Sequence, residues 1–193
     1  MWTSAALAGA NVDLVPELDR IVVAVDPPVT GHKGSDDCGI VVVGAVTQGP
    51  PQDWRAYVLE DATVSAASPN AWAEAAVAAV LRHNADRIVA EVNQGGALVE
   101  SVIRGVNALV PIKSVHATTG KAARAEPVAA LYEQGRVAHV RGLGALEDQM
   151  CLMTTQGFKG RGSPDRVDAL VWALHELMIE PSRTPFAGRV RSL

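Results

Sequence analysis

Three carboxylates in this 193-residue chain stand where an apolar run gives out or where a helix meets its buried face. Asp26 closes the run RIVVAVD, Glu91 comes near the end of DRIVAEV, and Asp168 lies within SPDRVDALVWAL. A carboxylate at the end of a core strand costs desolvation free energy unless something positive meets it. The partner can be a basic side chain, a ring of backbone N–H groups or a metal ion. Two acids delivered in the same way to one rim repel and raise each other's pKa unless a cation compensates. The matched placement of Asp26 and Glu91 favours the metal. Asp168 stands beyond the first helical turn, on the border of a stripe made by Val167, Leu170, Val171, Leu174, Leu177 and Met178, about 120° from its centre at 3.6 residues per turn. That position makes it the third candidate ligand. Asp165, one turn earlier, is expected further toward solvent, where it either complements the helix N-terminus or serves the site.

Delivering these acids to one place demands a particular order of elements. Residues 1–19 read as a loose lead-in with a short helix around residues 5–8. Strand-like segments follow at 20–26, 38–46 and 54–60, joined by short Gly/Pro/Asp-rich turns that favour an antiparallel meander. The pattern then changes. Ser68-Pro69 opens a helix to residue 83, followed by a strand at 86–92, a helix at 94–107 and a strand at 112–116. A helix over 119–133 stops before Gly135, a short strand RVAHV follows, and residues 143–153 are helical. TTQGFKGRGS (154–163) reads as a loop or small hairpin, and a helix over 164–180 closes the chain, with Ser163 as its cap and Pro164 as its first residue. The expected fold is a mixed α/β sheet with helices on both faces, in which ligands gather at the carboxyl ends of the parallel strands. If 86–92 lies parallel beside 20–26, Asp26 and Glu91 share that rim. The expected organisation is a lead-in (1–19), one domain (20–180) and a frayed tail (181–193).

The segments AVDPPVTGHKGSDDCGIVVVG, AEVNQGG, GKAARAEPVAALYEQGRVAHV and SPDRVDALVWAL, in that order and spacing, resemble the nuclease domain of phage-type large terminases over about residues 20–180. The resemblance implies a ribonuclease H-like fold and a divalent-metal-dependent DNA endonuclease that cuts concatemeric double-stranded DNA during packaging, in the cytoplasm of a bacterial host. It also implies an ATPase motor domain, a portal and a small terminase as partners. By motif position the catalytic, metal-binding acids fall on Asp26, Glu91 and Asp168, and Asp165 takes a neighbouring position where relatives can carry another polar residue. Asp36 or Asp37 either assists a second metal or shapes a turn. Oxygen ligands select hard ions, so Mg²⁺ or Mn²⁺ is expected. Two ions suit phosphodiester hydrolysis, with Asp26 bridging and Glu91 and Asp168 each anchoring one. The chain carries no G-x-x-x-x-G-K-[ST] phosphate loop. It therefore reads as an isolated nuclease domain that neither hydrolyses ATP nor translocates DNA, with residues 1–19 as the remnant of an interdomain linker.

Composition agrees with a globular chain: 48% hydrophobic and 20% charged residues exclude wholesale disorder. No stretch has the length of a membrane span. Cys38 and Cys151 lack metal-type spacing and the five histidines are scattered, against a zinc site. The net charge of −4 is unevenly placed. Residues 1–112 balance at −7 and residues 113–166 at +3, as a metal enzyme acting on a polyanion requires. Within the basic segment Lys121 and Arg124 share a helical face at i and i+3, and Lys159 and Arg161 lie on the glycine-rich stretch. These four are the expected DNA contacts, through phosphates and without base-edge reading. Two other readings stay open: a junction resolvase or transposase-like nuclease, and an actin-like ATP-binding module.

Overall fold

The computed structural model describes residues 1–28, 37–92 and 96–183. Helix α1 (Ser4–Gly9) and the short strand β1 (Asn11–Val12) precede three long strands, β2 (Arg20–Asp26), β3 (Gly39–Val46) and β4 (Arg55–Asp61). Helices and strands then alternate: α2 (Pro69–His83), β5 (Arg87–Glu91), α3 (Gly96–Val106), β6 (Ile112–Val115), α4 (Lys121–Glu133), β7 (Val137–Val140) and α5 (Gly144–Cys151). A hairpin of β8 (Met153–Thr154) and β9 (Gly157–Phe158) leads into α6 (Asp165–Leu174). One π-helical turn over His175–Ile179 continues into α7 (Glu180–Arg183).

Seven strands form one sheet in the order β1-β7-β4-β3-β2-β5-β6. The meander β2-β3-β4 is antiparallel, while β5 runs parallel to β2, β6 to β5, β7 to β4 and β1 to β7. The central strands read as continuous apolar runs because both faces are covered. Val22, Ala24, Val41, Val43 and Val89 pack with Val128 of α4, Leu146 of α5 and Leu170 of α6. Val23, Val25, Ile40, Val42, Ile88 and Ala90 pack with Trp72 and Ala76 of α2 and Ile103 of α3 on the other face. Among the described residues no helix is long and apolar enough to cross a membrane.

Three segments depart from expectation. Residues 1–12 are not a loose lead-in: Trp2 and Leu7 are 4% and 1% exposed and belong to the α4–α6 core layer. The Thr3 hydroxyl accepts from the Ala6 amide to start α1, and β1 pairs with β7 as a parallel edge strand. Leu7 on this short capped helix and Trp2 just before its cap bury enough surface to dock what composition alone leaves unassigned. The start of α6 also differs, since Pro164 occupies the cap position without a side-chain hydrogen bond. The Ser163 hydroxyl accepts instead from Lys121 Nζ at 2.8 Å. Of the expected tail, residues 181–183 are helical, as part of α7, and residues 184–193 lie outside the described residues.

Helix α6 is held to the sheet at both ends. Just past its far end, on the π-helical turn, the buried carboxylate of Glu176 accepts from Arg20 Nη2 at 3.0 Å, Arg87 Nη1 at 3.4 Å and Lys113 Nζ at 2.5 Å. Arg20 and Arg87 open β2 and β5, so this clamp fixes the helix over the amino ends of those strands. At its near end the backbone of Asp165 presses onto Gly39, where an added Cβ would clash with the Asp165 carbonyl. Gly39 is the register partner of Asp26, so the close approach sits beside the first acid. Gly39→Ala is expected to lower stability by about 1–3 kcal/mol, as overpacking does, while most single-alanine changes on the solvent face of α2 leave it unmoved. Urea unfolding followed by circular dichroism checks this; an unchanged midpoint would mean that α6 can lift off β3 freely.

Candidate active site at the carboxyl rim

Strand register brings the first two acids together. Val25 of β2 lies opposite Ala90 of β5 in a parallel pair, so Asp26 and Glu91 follow side by side. The period-2 alternation of a strand also gives them the same face. Val22 and Ala24 face the α6 layer, and Asp26 continues that set; Val89 does likewise, and Glu91 follows it. Helix α6 crosses this face and brings Asp165, Asp168 and Trp172, which at i, i+3 and i+7 share one side of the helix. Both aspartates are buried, at 5% and 1% exposure. Asp165 therefore does not lie toward solvent as the helical wheel implies: the Gly39 approach covers the first turn of α6.

Two cations and one indole hold these acids. Lys121, the first residue of α4, hydrogen-bonds Asp168 Oδ2. Arg124 Nη2 lies 3.4 Å from Asp168 Oδ1 and 3.7 Å from Glu91 Oε2. Its Nη1 donates to the Thr119 carbonyl at 2.7 Å. Trp172 Nε1 donates to Glu91 Oε2 at 2.5 Å. Among the described residues no cation lies within ion-pair distance of Asp26.

The electrostatics follow from this partition. Burial raises the Asp26 pKa well above the usual carboxylate range, with the charges of Asp168, Glu91 and Asp165 adding to it and Lys121 opposing. Burial also raises Asp168, against the pull of Lys121 and Arg124. For Lys121 burial works downward, but Asp168, Asp26 and Asp165 outweigh it and keep the ammonium above its ordinary value. The donors are carboxylate oxygens throughout, the set that suits a hard divalent cation. As the side chains stand, no three His, Cys, Asp or Glu groups among the described residues close into an ion-holding cluster. Oxygens of Asp168 and Glu91 are engaged by Lys121, Arg124 and Trp172.

The expected phosphate contacts separate into two kinds. Lys159 and Arg161 lie on the stretch between β9 and α6, and both are exposed. The Lys121 side chain is 44% exposed at the mouth of the site. Arg124 is only 6% exposed, so it lies beneath the acids rather than on a surface track; helical spacing sets its face, and α6 covers that face. Asp37 pairs with Arg166 at 2.9 Å, and Arg166 also holds Asp61 at 2.9 Å, while Asp36 lies outside the described residues. Sequence reasoning missed Trp172 as a site residue and gave Ser163 only a capping role. Trp172 follows Asp168 by four residues, a spacing that already places it on the acid side of the helix.

A meander extended by parallel strands on both sides, with acids at the ends of β2 and β5 and on the closing helix, defines the ribonuclease H-like class. The chain belongs to the terminase RNaseH-like domain family, whose model matches residues 23–177. Among solved structures it is similar to the nuclease domain of the large terminase subunit gp2 of bacterial virus Sf6 (TM-score 0.59, 15% identity, 83% of this chain and 90% of that one). It is also similar to the large terminase nuclease of thermophilic phage G20c with bound magnesium (TM-score 0.54, 16% identity, 80% and 81% coverage). The large terminase of a further thermophilic bacteriophage aligns over 91% of this chain but 43% of its own length, at 12% identity and a TM-score of 0.57. No curated protein matches the chain in sequence.

The raised Asp26 carboxyl has a measurable consequence for the metal-free protein. A group held up in the folded state keeps protons that the unfolded chain has released. Its contribution is therefore full below the unfolded value and is lost as pH rises through the folded one. Asp26→Asn should remove that loss, so in EDTA at pH 8 the variant melts a few degrees above the wild type. The gap should close as pH falls to the ordinary carboxylate range. Calorimetry across that interval checks it, and a variant that melts lower at every pH would show that Asp26 is a structural acid.

Proposed function

We propose that this rim is the active site of a divalent-metal-dependent DNA endonuclease, acting in a large terminase that cuts concatemeric duplex DNA during packaging in the host cytoplasm. The observation that carries this reading is the assembly of Asp26, Glu91 and Asp168 at one rim, with Asp26 outside ion-pair distance of any described cation. Lys121 and Arg124 balance Asp168 and Glu91, and a hard cation would supply the charge that no direct ion pair gives Asp26. Family membership supports the same reading, as do solved relatives with bound manganese, magnesium or calcium.

Asp26, Glu91 and Asp168 would hold Mg²⁺ or Mn²⁺, with two ions the proposed complement and Asp165 supporting them from the first turn of α6. When bound, such ions activate a water molecule, neutralise charge on the phosphoryl oxygens and assist the departing oxygen. The chain's own residues do the rest. Lys121 neutralises Asp168 and, with its side chain 44% exposed, would be free to meet a phosphate if Asp168 served as a ligand. Lys159 and Arg161 hold the DNA backbone, without reading base edges. Arg124 keeps Glu91 and Asp168 at a fixed separation from below. The ATPase motor, portal and small terminase are the proposed partners of the complete protein.

Supercoiled plasmid should be nicked and linearised with Mn²⁺ or Mg²⁺, and EDTA should stop the reaction; cleavage that survives exhaustive chelation would end the metal assignment. Asp26→Asn, Glu91→Gln and Asp168→Asn should each slow cleavage by more than the roughly 10–100-fold that loss of a supporting contact costs, and Asp165→Asn by less.

Duplex binding, measured with Ca²⁺ in place of the active ion, tests the cations. Lys159→Ala with Arg161→Ala should weaken binding alike for unrelated sequences and flatten the salt slope by about 0.9 for each phosphate released from its side chain. An unchanged slope would move the DNA path away from the β9–α6 stretch.

A further inference from the structure

Glu91 is the one rim acid held by an indole. Trp172 is 6% exposed and donates its Nε1–H to Glu91 Oε2 at 2.5 Å. The ring is itself fixed from behind. The Arg124 guanidinium carbon lies 5.1 Å from its centroid, and the His175 ring stands tilted 6.0 Å away. The His175 imidazole in turn lies 2.9 Å from the Arg124 carbonyl oxygen through Nε2. The indole also lines a groove of about 380 Å³ together with Arg124, Thr119, Pro127 and His175.

We propose that Trp172 is a positioning residue for the reaction, acting through Glu91. This rests on the reading of the rim as a metal-dependent nuclease. An indole is a donor only. It can fix a carboxylate oxygen, but it neither gives up a proton at working pH nor competes for a metal ion. Rigid on two side-chain torsions, it sets the rotation of the Glu91 carboxylate more firmly than a lysine can. Glu91 would therefore meet an incoming ion already oriented. Without the N–H, Glu91 Oε2 would lose its 2.5 Å donor and the carboxylate would be held less tightly in rotation. Outer contacts of this kind alter metal affinity and activity by about 10–100-fold.

The test uses the full chain. Mn²⁺ affinity is read from the electron paramagnetic resonance signal of the free ion, and cleavage is followed on plasmid. Trp172→Phe should bind Mn²⁺ about 10–100-fold more weakly and should recover part of its cleavage rate at high Mn²⁺. In a Glu91→Gln background the same change should cost little more, because contacts that act as a unit are not additive. Equal losses in both backgrounds would mean that Trp172 is only structural and would overturn the proposal. So would wild-type Mn²⁺ affinity in Trp172→Phe.

A measurement on the unaltered tryptophans covers the case in which Trp172→Phe fails to fold. The four indole N–H signals are recorded by ¹⁵N NMR in the wild type, in Glu91→Gln and with added Mg²⁺. One signal should move in both cases, and no movement on Glu91→Gln would overturn the proposal. Failure of the wild type to bind Mn²⁺ or cut DNA would instead bring down the nuclease reading, while an indole that still responded to Glu91→Gln would leave the contact standing.

Discussion

Like-charge repulsion at the carboxyl rim is the constraint around which this fold is arranged. Buried Glu91, Asp165 and Asp168 gather beside the half-buried Asp26. Gathering carboxylates there is unfavourable unless cations and donors are built in with them. Those groups come from two helices. Helix α4 brings Lys121 and Arg124, and α6 brings Trp172 together with two of the acids. The placement of α6 on the sheet therefore controls the whole cluster. The helix is held where Gly39 admits its first turn and again where Glu176 gathers three cations over the amino ends of the strands.

The two cations differ in kind. A lysine ammonium is a compact, strongly hydrated charge on a flexible stem, whereas a guanidinium is planar, always charged and weakly hydrated. Lys121 keeps 44% of its side chain exposed and also leans on Ser163, so its ammonium can meet water or a phosphate without leaving the helix start. Arg124 sits beneath the acids against the face of Trp172, tied to the Thr119 carbonyl. Removing its charge would leave the acids uncompensated from within. One cation is suited to exchange and the other to permanence, although they stand three residues apart on the same helix.

Much of this arrangement is legible in the amino-acid sequence. The strand at 20–26, the antiparallel meander, the helix from Pro69 and the parallel strand ending near Glu91 all follow from local pattern. Burial on both faces makes a central strand uniformly apolar, so a lone carboxylate at its end stands out against that background. Asp168 is likewise visible, because a charge bordering an apolar helical stripe needs a partner.

Burial from outside an element's own neighbourhood is not legible in that way. Spacing pairs Lys121 with Arg124 and puts Asp165 toward solvent, but a helical wheel does not say which other surface will cover it. Only the packing of α6 on α4 and on Gly39 buries Arg124 and Asp165 and leaves Lys121 at the mouth. The same holds for residues 1–12, whose apolar pair has meaning only once a core surface exists to receive it. Period and composition determined which residues reach the rim, because those depend on neighbours in sequence. Which charge is buried, which is exposed and which indole meets Glu91 depend on surfaces far apart in the chain, and the tertiary structure alone decided them.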